Sequence, residues 1–198
     1  MKDNSLEPIT QKILAHMRGN DSSFTLACRH SSKTESVIRF ALEKVKEEDN
    51  KAKLILIVVQ NYATVGLIQS NIIERERVDA IRGLGHLEFR NRTNLSIIRI
   101  VSANSSLLKG ICPTLVIYDE VGLYENTLDV IAAINCPFSH YVTSYGPNNI
   151  FFNFIKSYPT LVINWRDIPK FNEAWVMQMS RNISASQFFN EYENGRNQ

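Results

Sequence analysis

The sequence predicts an α/β layered fold with a mainly parallel central sheet. Three observations carry that prediction. Short apolar runs of strand length alternate along the chain with longer segments whose apolar residues fall at helical spacing, the pattern that builds parallel sheets. One run, Leu54-Ile55-Leu56-Ile57-Val58-Val59, is aliphatic throughout, as expected of a strand covered by helices on both faces. And 198 residues, 44% of them hydrophobic and 21% charged, suffice for a single domain spanning residues 1–198 with its own core.

The elements follow in order. Residues 6–18 place Leu6, Ile9, Ile13, Leu14 and Met17 on one helical face, with Pro8 in the first turn where its missing N–H costs nothing. Residues 24–28 read as a short buried strand, and 34–48 as a helix with Val37, Phe40, Ala41, Leu42 and Val45 facing a core. After the aliphatic strand at 54–59, residues 62–82 read as a helix carrying the charged surface run Glu74-Arg75-Glu76-Arg77. Strands are expected at 95–101, 114–118, 139–144 and 160–164, with helices near 124–134, 149–157, 171–182 and 184–194. No internal repeat, linker or low-complexity tract interrupts the pattern.

The formal net charge of +2 gives no global basic field of the kind that announces nucleic acid. Three scattered cysteines, Cys28, Cys112 and Cys136, do not make a disulfide framework and fit a reducing compartment. No apolar run approaches the length of a membrane span, and the N-terminus lacks a signal-like apolar region. A cytosolic protein is expected.

Two segments suggest chemistry. The strand at 24–28 runs into Arg29-His30-Ser31-Ser32-Lys33-Thr34 and then a helix. A strand-to-helix loop offers free N–H groups and the positive end of a helix dipole to phosphate. Lysine at the helix start adds a mobile charge, and the hydroxyl after it can ligate magnesium. Ser32 stands where glycine usually precedes that lysine. Taken alone, Ser32-Lys33-Thr34 reads first as a solvated helix N-terminus. The second segment is Leu115-Val116-Ile117-Tyr118-Asp119-Glu120, an apolar strand ending in two carboxylates. Asp119 would hold Mg²⁺ and Glu120 would polarise water, although an acid pair alone also suits a polar turn. Both segments fall at carboxyl ends of strands, where ligands sit in parallel α/β sheets.

These residues resemble the ATPase domain of the terminase large subunit, the DNA-packaging motor of tailed phages. The resemblance spans nearly the whole chain in motif order. Arg29, Lys33 and Thr34 have the spacing of that family's variant P-loop, and Gln11 matches its adenine-side glutamine, on a helix within residues 1–20. Leu107-Leu108-Lys109-Gly110 resembles its Leu-Arg-Gly, with lysine for arginine. Asp119 and Glu120 match the Walker B aspartate and catalytic glutamate. Tyr141-Val142-Thr143-Ser144-Tyr145-Gly146-Pro147 resembles the coupling motif, and residues 165–198 the helical segment that closes the ATPase module.

The resemblance implies a three-layer RecA-like (ASCE) P-loop NTPase using ATP and Mg²⁺. Catalysis would fall to Glu120, Arg29 and Lys33. Nucleotide would be held by Gln11, Arg29, His30, Ser31, Ser32, Lys33 and Thr34, metal by Thr34 and Asp119. Thr143 and Ser144 would couple hydrolysis to motion. Implied partners are double-stranded DNA, a portal protein, a small terminase subunit and further copies in a ring, in the cytoplasm of a bacterial host. No strand-borne acidic triad follows, so nuclease activity is not expected of this chain and would be supplied elsewhere.

Two rival readings stay open. Ser32 also suits a degenerate module that binds nucleotide or a partner without efficient hydrolysis. A helicase-like, nucleic-acid-dependent ATPase is the other, weakened because a single RecA-like unit is present. Elsewhere, Cys136 and His140, like Cys28 and His30, read as structural, because zinc needs closely paired ligands. His16 and His86 read as surface residues. Trp165 is expected to pack on the C-terminal helices. Arg90 and Arg92, placed in a loop, are candidates for DNA phosphate contact.

Overall fold

The computed structural model describes residues 6–47, 51–61, 63–66, 68, 79–83, 86–91, 93–144 and 153–193. Among the described residues eight strands form one sheet: β1 (Ser23–Ala27), β2 (Leu54–Val59), β3 (Asp79–Gly83), β4 (His86–Arg90), β5 (Ile97–Ser102), β6 (Leu115–Asp119), β7 (Ser139–Thr143) and β8 (Thr160–Ile163). Their order is β3-β4-β5-β2-β6-β7-β1-β8. From β5 to β8 every pairing is parallel, and β3 and β4 add an antiparallel hairpin at the β5 edge.

Alternation along the central strands divides the core into two layers, because successive side chains point to opposite faces. Ile55, Ile57 and Val59 of β2, with Leu115 and Ile117 of β6, pack on the face carrying α1 (Glu7–Arg18) and α2 (Lys33–Lys46). Leu56, Val58, Val116 and Tyr118 pack on the other, with Leu108, Tyr124, Val130, Ile134 and Ile155. The result is a sheet between two helical layers. α1 lies on α2 through Ile9, Ile13, Leu14 and Met17, all buried, as their spacing requires. Two C-terminal helices, Glu173–Ser180 and Ala185–Tyr192, join through an aromatic cluster in which Phe171 stacks on Trp175 at 3.9 Å.

The expected helix over 62–82 needs correction. Residues 63–66 are helical, but 79–83 form β3, paired residue for residue with β4. Tertiary pairing overrides local propensity there. Arg90, expected in a loop, closes β4. Glu74–Arg77, Arg92 and the turn and helix start at 145–152 lie outside the described residues. The helix near 124–134 is shorter, Thr127–Ala132, and follows a 3-10 turn at Val121–Leu123. Trp165 packs against Phe188 of the last helix as expected, and Arg166 lies over its ring.

Candidate functional site

The two segments singled out in the sequence meet at the carboxyl edge of the sheet. β1 and β6 are not neighbours; β7 stands between them, parallel to both. The loop after β1, the acid pair after β6 and Ser144 after β7 therefore emerge side by side.

The loop between β1 and α2 turns through the left-handed region at His30 and Ser32, each with φ 62°. Alternating hand along the chain lines up successive N–H groups into an anion-binding concavity. Serine at Ser32 thus adopts the conformation for which glycine is the ordinary choice. The Ser32 carbonyl starts α2 by accepting from Ser36 N–H and Oγ, both at 3.0 Å. Lys33, only 4% exposed, turns back under the loop, donating to the Cys28 carbonyl at 3.0 Å and lying 3.2 Å from Glu120 Oε1.

Thr34 Oγ1 donates to Asp119 Oδ2 at 2.8 Å, the contact that joins the loop to the acid strand. Asp119 is fully buried at the tip of β6. Tyr124 fixes the backbone there, its single hydroxyl proton shared between the Val58 carbonyl at 2.7 Å and the Asp119 carbonyl at 2.9 Å. Burial raises the Asp119 carboxyl above the usual carboxylate range, and the neighbouring Glu120 charge adds to it; the Thr34 hydrogen bond and the Lys33 charge oppose. Glu120 is left-handed at φ 56°. Strained backbone of this kind concentrates at working sites. Glu120 Oε2 accepts from Ser144 N–H at 2.7 Å and from Ser144 Oγ at 2.8 Å. Thr143 Oγ1 accepts from Gly122 N–H at 3.2 Å, tying β7 to the turn after Glu120.

Buried polar atoms without partners are uncommon and ask for an explanation. Among the described residues three side-chain atoms qualify, and two of them, Ser31 Oγ and Asp119 Oδ1, lie in the two halves of this site. Mg²⁺ is a hard cation that takes one or two protein oxygens and completes its shell with water and phosphate. A threonine hydroxyl on a carboxylate whose second oxygen is unpartnered fits that donor set. Among the described residues no group of three or more His, Cys, Asp or Glu could hold a metal by itself, which separates this arrangement from a zinc-type centre.

The remaining site candidates are placed elsewhere. Arg29 leaves the loop toward the last helix, its N–H on the Glu191 carbonyl and its Nη1 on Glu191 Oε2, both at 2.8 Å. His30 is exposed, its ring 6.5 Å from that of Tyr192. Gln11 sits on the exposed face of α1 and donates to Glu7 Oε1 at 2.7 Å. Glu7 is held in turn by Arg39, which also pairs with Glu35 one residue after Thr34. Glu191 is the residue that sequence reasoning passed over. It lies 162 positions from Arg29 and no spacing links the two. A cavity of about 280 Å³, lined in part by Phe40, Lys44, Lys53 and His140, opens at the opposite, amino-terminal edge of the strands and contains none of these residues.

No family model matches the chain, and no curated protein matches it. Solved structures do. The ATPase domain of the Thermus phage P74-26 large terminase is 15% identical over 91% of each chain, with a TM-score of 0.65. The HK97 bacteriophage large terminase is 13% identical over 93% of this chain and 49% of that one, TM-score 0.68. The large terminase of a thermophilic bacteriophage, solved with ATP-gamma-S, is 12% identical over 93% of this chain and 51% of that one, TM-score 0.67. The chain thus spans about half the length of the last two. The likeness establishes the fold: a central sheet between two helical layers, as in phage large terminase ATPase domains. Among the described residues no helix is long and apolar enough to cross a membrane.

Proposed function

We propose that the chain binds and hydrolyses ATP with Mg²⁺, as the ATPase module of a terminase large subunit driving double-stranded DNA into a procapsid. One observation supports the reading above all: the Thr34 hydroxyl bonds the Asp119 carboxylate at 2.8 Å, which brings the loop before α2 and the acid-tipped strand into contact. The fold shared with a terminase ATPase domain and with large terminases, one of them solved with ATP-gamma-S, supports it.

In this reading the loop N–H groups and the start of α2 bind the phosphates, and Lys33 neutralises charge on the terminal ones. Thr34 and Asp119 would hold Mg²⁺, which would supply charge neutralisation for the triphosphate. Glu120 orients the attacking water and accepts its proton at a carboxylate oxygen. Phosphoryl transfer asks mainly for such positioning and charge. Arg29, bonded to Glu191 in this structure, would stabilise charge on the terminal phosphate in cis, and Gln11 would help place adenine. Ser144 and Thr143 report the state of Glu120 to β7. A portal ring, a small terminase subunit, a nuclease supplied elsewhere and further copies of the chain complete the motor, in the cytoplasm of an infected bacterium.

A second reading has its own observation. Lys33 already pairs with Glu120, and Ser32 occupies the glycine position, which suits a module that binds nucleotide and turns it over slowly. Phosphate release from Mg-ATP separates the two. The first reading expects turnover that Lys33→Ala and Glu120→Ala each lower by at least about a hundredfold. Tight binding without release, rescued by Ser32→Gly, supports the second. Equal hydrolysis by all three proteins contradicts the site.

A further inference from the structure

We infer that Glu191 is a positioning residue for the phosphate site: it presents the Arg29 guanidinium to the terminal phosphate of a nucleoside triphosphate and makes the Ala185–Tyr192 helix part of the apparatus that distinguishes triphosphate from diphosphate. The inference rests on the nucleotide reading above.

The contact is built on both sides. Arg29 is gripped twice by one residue, through its backbone N–H and through Nη1, each at 2.8 Å. The Glu191 carboxylate is itself fixed, because its other oxygen, Oε1, accepts from Gln187 Nε2 at 3.0 Å. Burial alone would raise that carboxyl; the hydrogen bonds from Arg29 and Gln187 hold it below its ordinary range. The supporting helix is anchored next door by Tyr192, 1% exposed, whose ring lies 5.2 Å from both Trp175 and Phe188. Rigidity therefore passes from an aromatic cluster through Glu191 into the phosphate loop.

Arg29 is poised for this role. Its side chain is 53% exposed. Guanidinium has five donors, and the bond to Glu191 uses one. An exposed arginine without an anchor spreads over many rotamers and loses that freedom on binding phosphate; the charge-assisted bond to Glu191 removes much of that loss beforehand. Lys33 and the loop N–H groups serve both nucleotides, so Arg29 bears on the difference between them.

The test is the ratio of dissociation constants for Mg-ADP and Mg-ATP-gamma-S, which needs no turnover. Arg29→Ala is expected to lower the preference for the triphosphate analogue about tenfold, and Glu191→Ala about three- to fivefold. Glu191→Gln, which keeps an acceptor for Nη1, falls between wild type and Glu191→Ala. The double variant Arg29→Ala/Glu191→Ala behaves like Arg29→Ala alone, the non-additivity of residues acting as a unit. The chain has two tryptophans, Trp165 and Trp175, and both contact the last helix, so their emission reports whether it stays docked. If Glu191→Ala undocks it, Glu191→Gln carries the comparison. An unchanged or raised preference in the Glu191 variants, or effects that multiply with Arg29→Ala, overturns the inference while nucleotide binding stands. Failure of the wild type to bind either nucleotide overturns the nucleotide reading and the inference with it.

Discussion

Ser144 donates two hydrogen bonds to a single oxygen of Glu120, from its backbone N–H at 2.7 Å and its hydroxyl at 2.8 Å. The other oxygen faces Lys33 at 3.2 Å. The carboxylate is thus held between Lys33, at the start of α2, and the end of β7. A group fixed in this way can respond to nucleotide only by trading one of these partners.

Ser144→Ala removes the hydroxyl bond and leaves the backbone one. Loss of one charge-assisted bond is worth on the order of 1.5–3 kcal/mol, so kcat for ATP should fall about ten- to a hundredfold. The ADP dissociation constant should stay within about twofold of wild type, because Ser144 touches the glutamate and not the loop. Steady-state kinetics with a parallel ADP titration decide it. A large loss of ADP affinity would place Ser144 in the binding surface instead.

Ser32 sits at φ 62° and ψ 28°. A left-handed L-residue costs about 1–2 kcal/mol, and glycine gives back roughly 0.5–1 kcal/mol through its freer unfolded chain. Ser32→Gly should therefore be neutral to about 1 kcal/mol more stable, whereas Ser32→Val should lose about 1–2 kcal/mol. Urea unfolding of the pair checks the sign. A more stable valine variant would mean the loop is not left-handed.

His140 gives the pH dependence. Burial holds its imidazole neutral, with His16 and Lys44 adding to the effect, and lowers its pKa from 6.5 to about 4. Its Nδ1 shares a 2.8 Å hydrogen bond with Ser23 Oγ. The unfolded chain takes up a proton near 6.5 and the folded chain only near 4, so unfolding binds a proton between those values. This contribution is complete above pH 6.5 and is lost as pH falls toward 4, by roughly 3 kcal/mol at most. Unfolding free energies at pH 7.5 and 5, for wild type and His140→Gln, should show a shallower slope in the variant. Identical slopes would contradict the assignment.

Thiol labelling offers a check on burial. Cys28 is buried, and desolvation pushes its thiol up to about 12, whereas Cys112 is exposed. Cys112 should label first at pH 8 and Cys28 only on unfolding. Rapid labelling of Cys28 in the native protein would mean the loop above it opens freely.

Much of this architecture was legible in the chain, for reasons specific to each element. β2 and β6 are buried on both faces, and their uninterrupted apolar runs say so. Asp119-Glu120 is recognisable because it closes such a run, Lys33-Thr34 because it opens a helix just after a short buried strand, and parallel strands bring their ends to one edge. The β3–β4 hairpin was missed at 79–83 because a charged stretch precedes it without Gly or Pro punctuation. β4 did carry a signal: Leu87 and Phe89 are buried, and Glu88 between them accepts from Arg99 across the ladder at 2.7 Å. That is strand alternation of period two, hidden by its brevity. The Arg29–Glu191 pair had no local signal, since it depends on how the last helix returns over the loop.

ATP hydrolysis by this chain requires the loop at Lys33 and the strand tip at Asp119 to form one site for a magnesium-bound triphosphate. Calorimetric titration of ATP-gamma-S into wild type, Lys33→Met and Asp119→Asn, with Mg²⁺ and with EDTA, tests it most directly. Saturable wild-type binding is expected, weakened at least about tenfold by Lys33→Met. It should lose its Mg²⁺ dependence in Asp119→Asn. Equal affinity in all three proteins, indifferent to Mg²⁺, would contradict it.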